Sequence, residues 1–438
     1  MCGIAAVING TIEHSENMAR VIRRRGTHSS SHRVDNLTVS FVHLPITTDK
    51  NDQPRTYRNT TVWLNGYISN WKELCTKYRV IADSDTEYLA WHLSHDKGKS
   101  ELNGFFAVLY YQDGVKMFTD RYGIKQLYTY KVGETTFICS EVKGIKAVAK
   151  LSVDFDALND WETTLGVMTH DTIYTGVKRV DCLPFVKPKK IDNITYSVAK
   201  IQLRILWNKA CVRNHYEGAG CYLSGGIDSG IIAKDLNPEY SFSVDYKNEL
   251  SEIDNIKLNS KGLHYTMICN NQLVSDYSNK VMDALDDFKA GSCYTNYAIA
   301  ETASRFCKVM YSGAGGDEVF NGYTHRYNRD VQDVIKRTDK DVKHYHVTHK
   351  EYDWLFLRSV LVVEDRMSGY HTMETRYPLL DNDFVDFALS LPDEYLENKR
   401  ILKDISGLDE QVLKGKKRGF SNPKFTNEQW INHCKEWL

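Results

Sequence analysis

Apolar residues follow two regimes along the chain. From residue 1 to about 150 they come in short runs, such as Thr38-Val39-Ser40-Phe41-Val42 and Phe106-Ala107-Val108-Leu109-Tyr110-Tyr111, punctuated by glycine and asparagine. Runs of this kind between turn formers predict strands, here stacked in antiparallel sheets. From about residue 200 the pattern changes. Cys221-Tyr222-Leu223, Phe242-Ser243-Val244, Tyr265-Thr266-Met267-Ile268 and Lys308-Val309-Met310-Tyr311 read as buried strands that alternate with helical stretches such as Ile231-Ile232-Ala233 to Leu236. That alternation predicts a parallel α/β sheet. The segment from about 150 to 200, with Thr172-Ile173-Tyr174-Thr175-Gly176-Val177 and Leu183-Pro184, leads from one regime to the other. The expected domains are residues 1–200 and 201–438.

Two glycine loops follow two of the predicted strands. Ser224-Gly225-Gly226-Ile227-Asp228-Ser229 runs from Leu223 into a helix start. Gly225 and Gly226 permit a sharp turn and close approach to a ligand, while free N–H groups and the helix dipole favour phosphate oxygens. Ser224 and Ser229 add hydroxyl donors. Asp228 would repel a bare phosphate and is better read as a Mg²⁺ ligand. The loop lacks the lysine of Gly-x-x-x-x-Gly-Lys-Ser/Thr, and it is not the dinucleotide fingerprint. The second loop, Ser312-Gly313-Ala314-Gly315-Gly316-Asp317-Glu318, follows Tyr311. Loops at the C-termini of two such strands face one another at the switch point of a doubly wound sheet. There Asp228 and Asp317 would hold one Mg²⁺ between them.

The other candidate chemistry lies at the start. Removal of Met1 from Met1-Cys2-Gly3-Ile4 would put a thiol and a free α-amino group on one residue. An α-amino group titrates at about 7.7–8.0, close to the working pH of a general base. It can take the thiol proton, and the thiolate can attack a glutamine side-chain amide, expelling ammonia and leaving a thioester for water to hydrolyse. The tetrahedral intermediate needs donors for its oxyanion. Asn65-Gly66, after the apolar run Val62-Trp63-Leu64, can supply one side-chain and one backbone N–H.

Several strings then point to a family. Ser-Gly-Gly-x-Asp-Ser resembles the pyrophosphate loop of ATP pyrophosphatases, and Ser312 to Tyr323 resembles the matching string of glutamine-dependent asparagine synthetases. Glu364-Asp365-Arg366-Met367-Ser368, Glu374-Thr375-Arg376-Tyr377-Pro378-Leu379-Leu380-Asp381 and Lys417-Arg418-Gly419-Phe420 resemble its later motifs in the same order. In the first half, Arg23-Arg24-Arg25-Gly26, Asn65-Gly66, Ser84-Asp85-Thr86-Glu87, Leu102 to Ala107, Asp120-Arg121-Tyr122-Gly123-Ile124 and Ser140-Glu141-Val142-Lys143 resemble the class II glutamine amidotransferase signature.

The resemblance implies an α/β protein. An N-terminal-nucleophile (Ntn) hydrolase αββα sandwich of antiparallel sheets would precede a doubly wound, parallel-sheet ATP-pyrophosphatase domain. It implies a ligase that makes asparagine from aspartate, glutamine and ATP through an acyl-adenylate, releasing glutamate, AMP and pyrophosphate. The residues implied are Cys2 as nucleophile, Asn65 and Gly66 as oxyanion hole, Asp85 on the glutamine α-amino group and Lys417 on the α-phosphate. Ser224, Gly225, Gly226, Asp228, Ser229, Ser243, Val244, Ser312 and Gly313 would bind ATP and pyrophosphate. Asp228 and Asp317 would hold the metal. ATP and Mg²⁺ are the expected cofactors, glutamine, ATP and aspartate the expected small-molecule partners, and a homodimer a possible assembly.

Composition narrows the field. A net charge of −1 across 438 residues gives no basic footprint for nucleic acid or anionic membrane. No apolar run approaches the ~18 residues of a membrane span, and the start lacks a signal-peptide core. Ten cysteines without a Cys-x-x-Cys pair point to reduced thiols in a cytoplasm. His344, His346 and His349 lie among lysines and read as solvated surface rather than a metal site. Three strings depart from the family: Ala314 replaces an acidic residue, His43-Leu44-Pro45-Ile46 replaces an Arg-Leu-Ser-Ile type string, and Arg25-Gly26-Thr27-His28 replaces Arg-Gly-Pro-Asp. Arg55 lies near enough in sequence to stand in for the arginine. A different carboxylate acceptor, or a glutaminase or regulatory binder with an impaired synthetase site, therefore remain alternatives.

Overall fold

The computed structural model describes residues 1–46, 53–164, 166, 170–245, 256, 258–268, 272–286, 288, 293–335, 347–415 and 432–436. Among the described residues, the first half contains ten strands: β1 (Gly3–Ile8), β2 (His28–Val34), β3 (Leu37–His43), β4 (Arg55–Tyr57), β5 (Thr60–Ile68), β6 (Gly104–Tyr111), β7 (Val115–Thr119), β8 (Tyr128–Val132), β9 (Thr135–Cys139) and β10 (Lys178–Arg179). They form a six-stranded sheet, β10-β8-β9-β1-β3-β2, and a four-stranded sheet, β4-β5-β6-β7. Every pairing in both is antiparallel.

Alternation along the strands builds the layers. Ile4 and Ala6 of β1 join Val39, Phe41, Trp63, Ala107, Leu109 and Ile138 in a core between the two sheets. Ala5 and Val7, on the other face of β1, pack with Met18 and Ala19 of the helix Ile12–Val21 and with Ile145 of Val142–Lys146. On the outer face of the four-stranded sheet, Val62, Leu64 and Phe106 meet Leu74, Tyr88 and Leu89 of the helices Trp71–Tyr78 and Asp85–Ser94. The result is the expected αββα sandwich.

The second half is wound around β11 (Gly220–Tyr222), β12 (Tyr240–Asp245), β13 (Leu263–Ile268), β14 (Val309–Tyr311) and β15 (Glu374–Arg376). Their order is β13-β12-β11-β14-β15, with every pairing parallel. The chain moves outward from β11 to β13 and then returns to the other side of β11 at β14. The reversal between β11 and β14 is the switch point, and both glycine loops open there. The helix Tyr196–Asn214, capped by Thr195, runs through residue 200 and links the two halves.

The halves share buried surface. The core that includes Ala5 and Val7 continues into Val281, Tyr297, Met310 and Met367. Across this contact runs a buried ion network. Arg25 pairs with Glu141 at 2.7 Å and Asp365 at 3.4 Å, Lys125 with Asp365 at 2.8 Å, and Arg366 with Glu141 at 3.2 Å. Charges this deeply buried tolerate burial because each has a partner. Asn103 donates to Asp381 Oδ2 at 3.0 Å and accepts from the Asn382 N–H at 3.1 Å, closing a second link. Arg25, Asn103 and Glu141 all belong to strings that resemble the amidotransferase signature, so part of that signature serves docking.

Among the described residues, no helix is long and apolar enough to cross a membrane.

Candidate functional site

Cys2 enters β1, which lies between β9 and β3 inside the six-stranded sheet. Its thiol is 7% exposed, with Sγ 3.9 Å from the carbonyl oxygen of Leu44. Arg25 Nε donates to the Cys2 carbonyl at 2.7 Å, and the Ile4 N–H donates to Ser140 Oγ at 2.9 Å. These bonds fix the backbone on both sides of the thiol. With Met1 in place, burial raises the thiol pKa and lowers that of the Met1 amino group to about 5.

Asn65 on β5 is fully buried, and neither Oδ1 nor Nδ2 has a hydrogen-bond partner among the described residues. A buried amide left open costs about 1–3 kcal/mol for each unsatisfied group, so it suits a site completed by a ligand. Gly66 follows at φ +111°, where a Cβ would lie 2.0 Å from the Phe105 carbonyl oxygen of β6. Gly66→Ala is expected to lower stability by about 2–4 kcal/mol, through positive-φ strain and the clash. Urea unfolding with an unchanged midpoint would contradict this. Asp85 opens the helix Asp85–Ser94; its Oδ2 accepts the Ile68 N–H at 3.1 Å and its Oδ1 the Thr86 N–H at 2.8 Å. Burial raises its pKa to about 6 despite those bonds. Glu374 acts electrostatically on Cys2, Asp85 and the Met1 amino group alike, pushing the pKa of each upward. Glu374 itself pairs with Arg376 at 3.0 Å, so these two form a buried pair beside the amidotransferase half rather than a surface pair.

The crevice at the switch point is built from the two loops. Gly225 has φ +82°, and the helix Ile227–Leu236 starts at Gly226 without a side-chain cap, leaving its first N–H groups available. Ser229 Oγ accepts the Ser224 N–H at 3.1 Å, and Ser224 Oγ accepts the Gly226 N–H at 3.3 Å. The opposing loop lies directly against Asp228: a Cβ on Gly313 would be 2.9 Å from the Ser229 nitrogen, and one on Gly316 would be 2.2 Å from Asp228 Oδ1. Ser312 is buried, and its N–H donates to the Arg376 carbonyl at 2.9 Å. Ser243 at the C-terminal end of β12 donates its hydroxyl to the Leu223 carbonyl at 2.5 Å, and Val244 follows half-buried.

Asp228 and Asp317 come together as expected, but a lysine joins them. Lys399 Nζ bonds Asp228 Oδ2 and lies 2.7 Å from Asp317 Oδ1. Its N–H donates to the Phe320 carbonyl at 2.9 Å, and Asn398 and Lys399 take φ +50° and +59°. Two successive non-glycine residues in the left-handed region are costly and persist where surrounding contacts hold them. Sequence reasoning missed Lys399, because Glu397-Asn398-Lys399-Arg400 reads as solvated surface. Asp228 Oδ1 is buried and, among the described residues, has no partner. That open oxygen beside a second carboxylate fits Mg²⁺, which takes one or two carboxylates with substrate phosphates. Lys417 and the rest of its motif lie outside the described residues, as do His344 and His346. His349 Nε2 bonds the Arg329 carbonyl at 2.9 Å. Among the described residues, no group of three or more His, Cys, Asp or Glu could hold a metal.

The asparagine synthase family model matches residues 210–350 and 333–438, together more than half of the chain. The chain belongs to the asparagine synthase family. A glutamine amidotransferase domain model matches residues 1–195. The chain is 26% identical over 490 residues to a putative asparagine synthetase (glutamine-hydrolyzing) 1 of Methanocaldococcus jannaschii, covering 97% of this chain and 87% of that one. It is also 26% identical over 568 residues to asparagine synthetase (glutamine-hydrolyzing) 1 of Bacillus subtilis, covering 100% of this chain and 89% of that one. Among solved structures, glutamine phosphoribosylpyrophosphate amidotransferase from B. subtilis gives a TM-score of 0.30 at 14% identity, over 73% of this chain and 77% of that one, a likeness too loose to argue from.

Within the asparagine synthase family pattern, the departures have clear locations. Ala314 lies half-buried in the second loop, and its N–H donates to Ser312 Oγ at 3.2 Å. His43 ends β3, and its ring lies 5.8 Å from that of Phe41. Arg55 pairs across the sheet with Val62, three residues before Asn65 on β5. At about 3.4 Å per residue that is about 10 Å along the strand, a span that an arginine side chain would have to bridge.

Proposed function

We propose that this protein is a glutamine-hydrolysing, ATP-dependent asparagine synthetase. Residues 1–200 would release ammonia from glutamine, and residues 201–438 would convert aspartate and ATP to an aspartyl-adenylate and amidate it. The observation that carries this reading is the buried network joining the Cys2 site to the second half: Arg25 holds the Cys2 carbonyl and also pairs with Asp365, whose other oxygen takes Lys125.

In the first half, removal of Met1 would free the Cys2 amine to take the thiol proton. The thiolate would attack glutamine's amide carbon, with Asn65 Nδ2 and the Gly66 N–H on the oxyanion and Asp85 on the substrate's ammonium group. In the second half, the Ser224–Ser229 loop and the helix N-terminus would receive the β- and γ-phosphates, joined by Ser312 and Gly313. Ser243 and Val244 would border the nucleotide, and Lys417 would face the α-phosphate. Asp228 and Asp317 would hold Mg²⁺, whose charge would offset that of the phosphates. Lys399, bonded to both carboxylates, would keep them together before the cation arrives.

The acceptor is tested by scoring pyrophosphate release with aspartate against glutamate and other amino-acid carboxylates. Release with aspartate at least about tenfold above every other acceptor supports the proposal, about 1.4 kcal/mol of discrimination. Equal release, or preference for another carboxylate, would move the assignment to a different amidotransferase.

A further inference from the structure

Amide formation from an acyl-adenylate needs a base. When ammonia attacks the acyl carbon, a C–N bond forms, the bond to AMP breaks, and nitrogen must shed one proton. The family places an acidic residue where this chain has Ala314, whose methyl group cannot accept it.

The helix His349–Tyr370 puts two carboxyl groups side by side, and they face different sites. Asp365 turns to Lys125 at 2.8 Å and to Arg25 at 3.4 Å, and through Arg25 it reaches the Cys2 carbonyl. Glu364 turns to the sheet's C-terminal edge, where the Ser312 and Tyr377 side chains act on its carboxyl without the Tyr377 hydroxyl closing a hydrogen bond among the described residues. Ser312 Oγ in turn accepts the Ala314 N–H at 3.2 Å. Ser312 thus relates Glu364 to the position that lost its acid. The Glu364 Oε2 is buried and, among the described residues, has no hydrogen-bond partner.

We propose that Glu364 accepts the nitrogen's proton during amide formation, replacing the acid absent at Ala314. The inference rests on the synthetase reading above. Burial raises the Glu364 pKa to about 7, with the Ser312 and Tyr377 hydroxyls pulling the other way. The ionisable groups facing it are Tyr222 and Tyr377, both held neutral by burial near neutral pH. The basic form of Glu364 gains population as pH rises through about 7. Glu318 of the second loop, which bonds Tyr323, is also raised by burial to about 7, so the Glu364→Gln profile is what separates the two.

The test compares the full-length enzyme with Glu364→Gln and Glu364→Asp. Three rates are read: aspartate-dependent ATP–pyrophosphate exchange, amide formation from ammonium at constant free ammonia across pH 6–9, and glutamine hydrolysis. In Glu364→Gln, amide formation should fall about 10²–10³-fold and lose its rise near pH 7, while exchange and glutamine hydrolysis stay within about threefold. Glu364→Asp should recover part of the rate and the pH limb. Normal amide formation in Glu364→Gln overturns the role, and so does a parallel loss of exchange, which would mark a structural part. If the unaltered enzyme showed no aspartate-dependent exchange, the synthetase reading itself would fall and this role with it.

Discussion

Cys2→Ala enzyme makes asparagine from ammonium at the unaltered rate and makes none from glutamine. The loss in the glutamine-driven rate should exceed about 10³-fold, because the residue supplies the nucleophile and no neighbouring group can replace a covalent step. The fold should survive. Among the described residues, the thiol's one hydrogen-bonding contact is a long one to the Leu44 carbonyl, whereas the main-chain bonds from Arg25 and to Ser140 do not involve the sulfur. Removing one buried sulfur costs on the order of 1 kcal/mol, in the range of small core deletions. Glutamate and asparagine are measured with each nitrogen source. Equal loss with both sources would contradict the assignment of Cys2 to ammonia release alone.

Asp228→Asn is expected to act on the opposite half. Asp228 and Asp317 share Lys399, and Asp228 Oδ1 lies buried and open beside the second loop. The amide keeps the shape but removes the charge that would hold Mg²⁺ and neutralise Lys399. Aspartate-dependent pyrophosphate release should drop about 10²–10³-fold, the scale of losing one electrostatic stabiliser of the reacting phosphates, and half-saturation should need more Mg²⁺. Glutamine hydrolysis should continue, since Cys2, Asn65 and Asp85 lie in the other half. Unchanged pyrophosphate release at an unchanged Mg²⁺ requirement would remove Asp228 from the metal site.

The sequence makes some of this legible and hides the rest for physical reasons. Period-two runs reveal the stacked sheets, and the Cys221–Leu223 and Val309–Tyr311 runs locate the two strands that flank the switch point. Glycine is readable because geometry demands it: Gly66 sits at φ +111°, and Gly313 and Gly316 admit Asp228 where a Cβ would collide. β15 is harder to read as a strand. Its sequence, Glu374-Thr375-Arg376, looks exposed, yet the two charges are buried because they pair with each other and with neighbours from the first half. Lys399 is hidden for a related reason. Only the left-handed backbone at Asn398 and Lys399 brings its ammonium to the two aspartates. The Arg25–Asp365 and Lys125–Asp365 pairs join residues more than two hundred positions apart, and no local pattern signals them. The link from Glu364 through Ser312 to Ala314 is of the same kind. The loop shows which group is missing, while its replacement comes from a distant helix.

The central claim is that one chain couples glutamine hydrolysis to AMP-forming amidation. It is tested most directly by measuring glutamate, AMP, pyrophosphate and asparagine together with glutamine, ATP, Mg²⁺ and aspartate present. The account predicts AMP, pyrophosphate and asparagine in equal amounts, with glutamate at least equal to them and no ADP. Glutamate accumulating without AMP, or ADP in place of AMP and pyrophosphate, would contradict it.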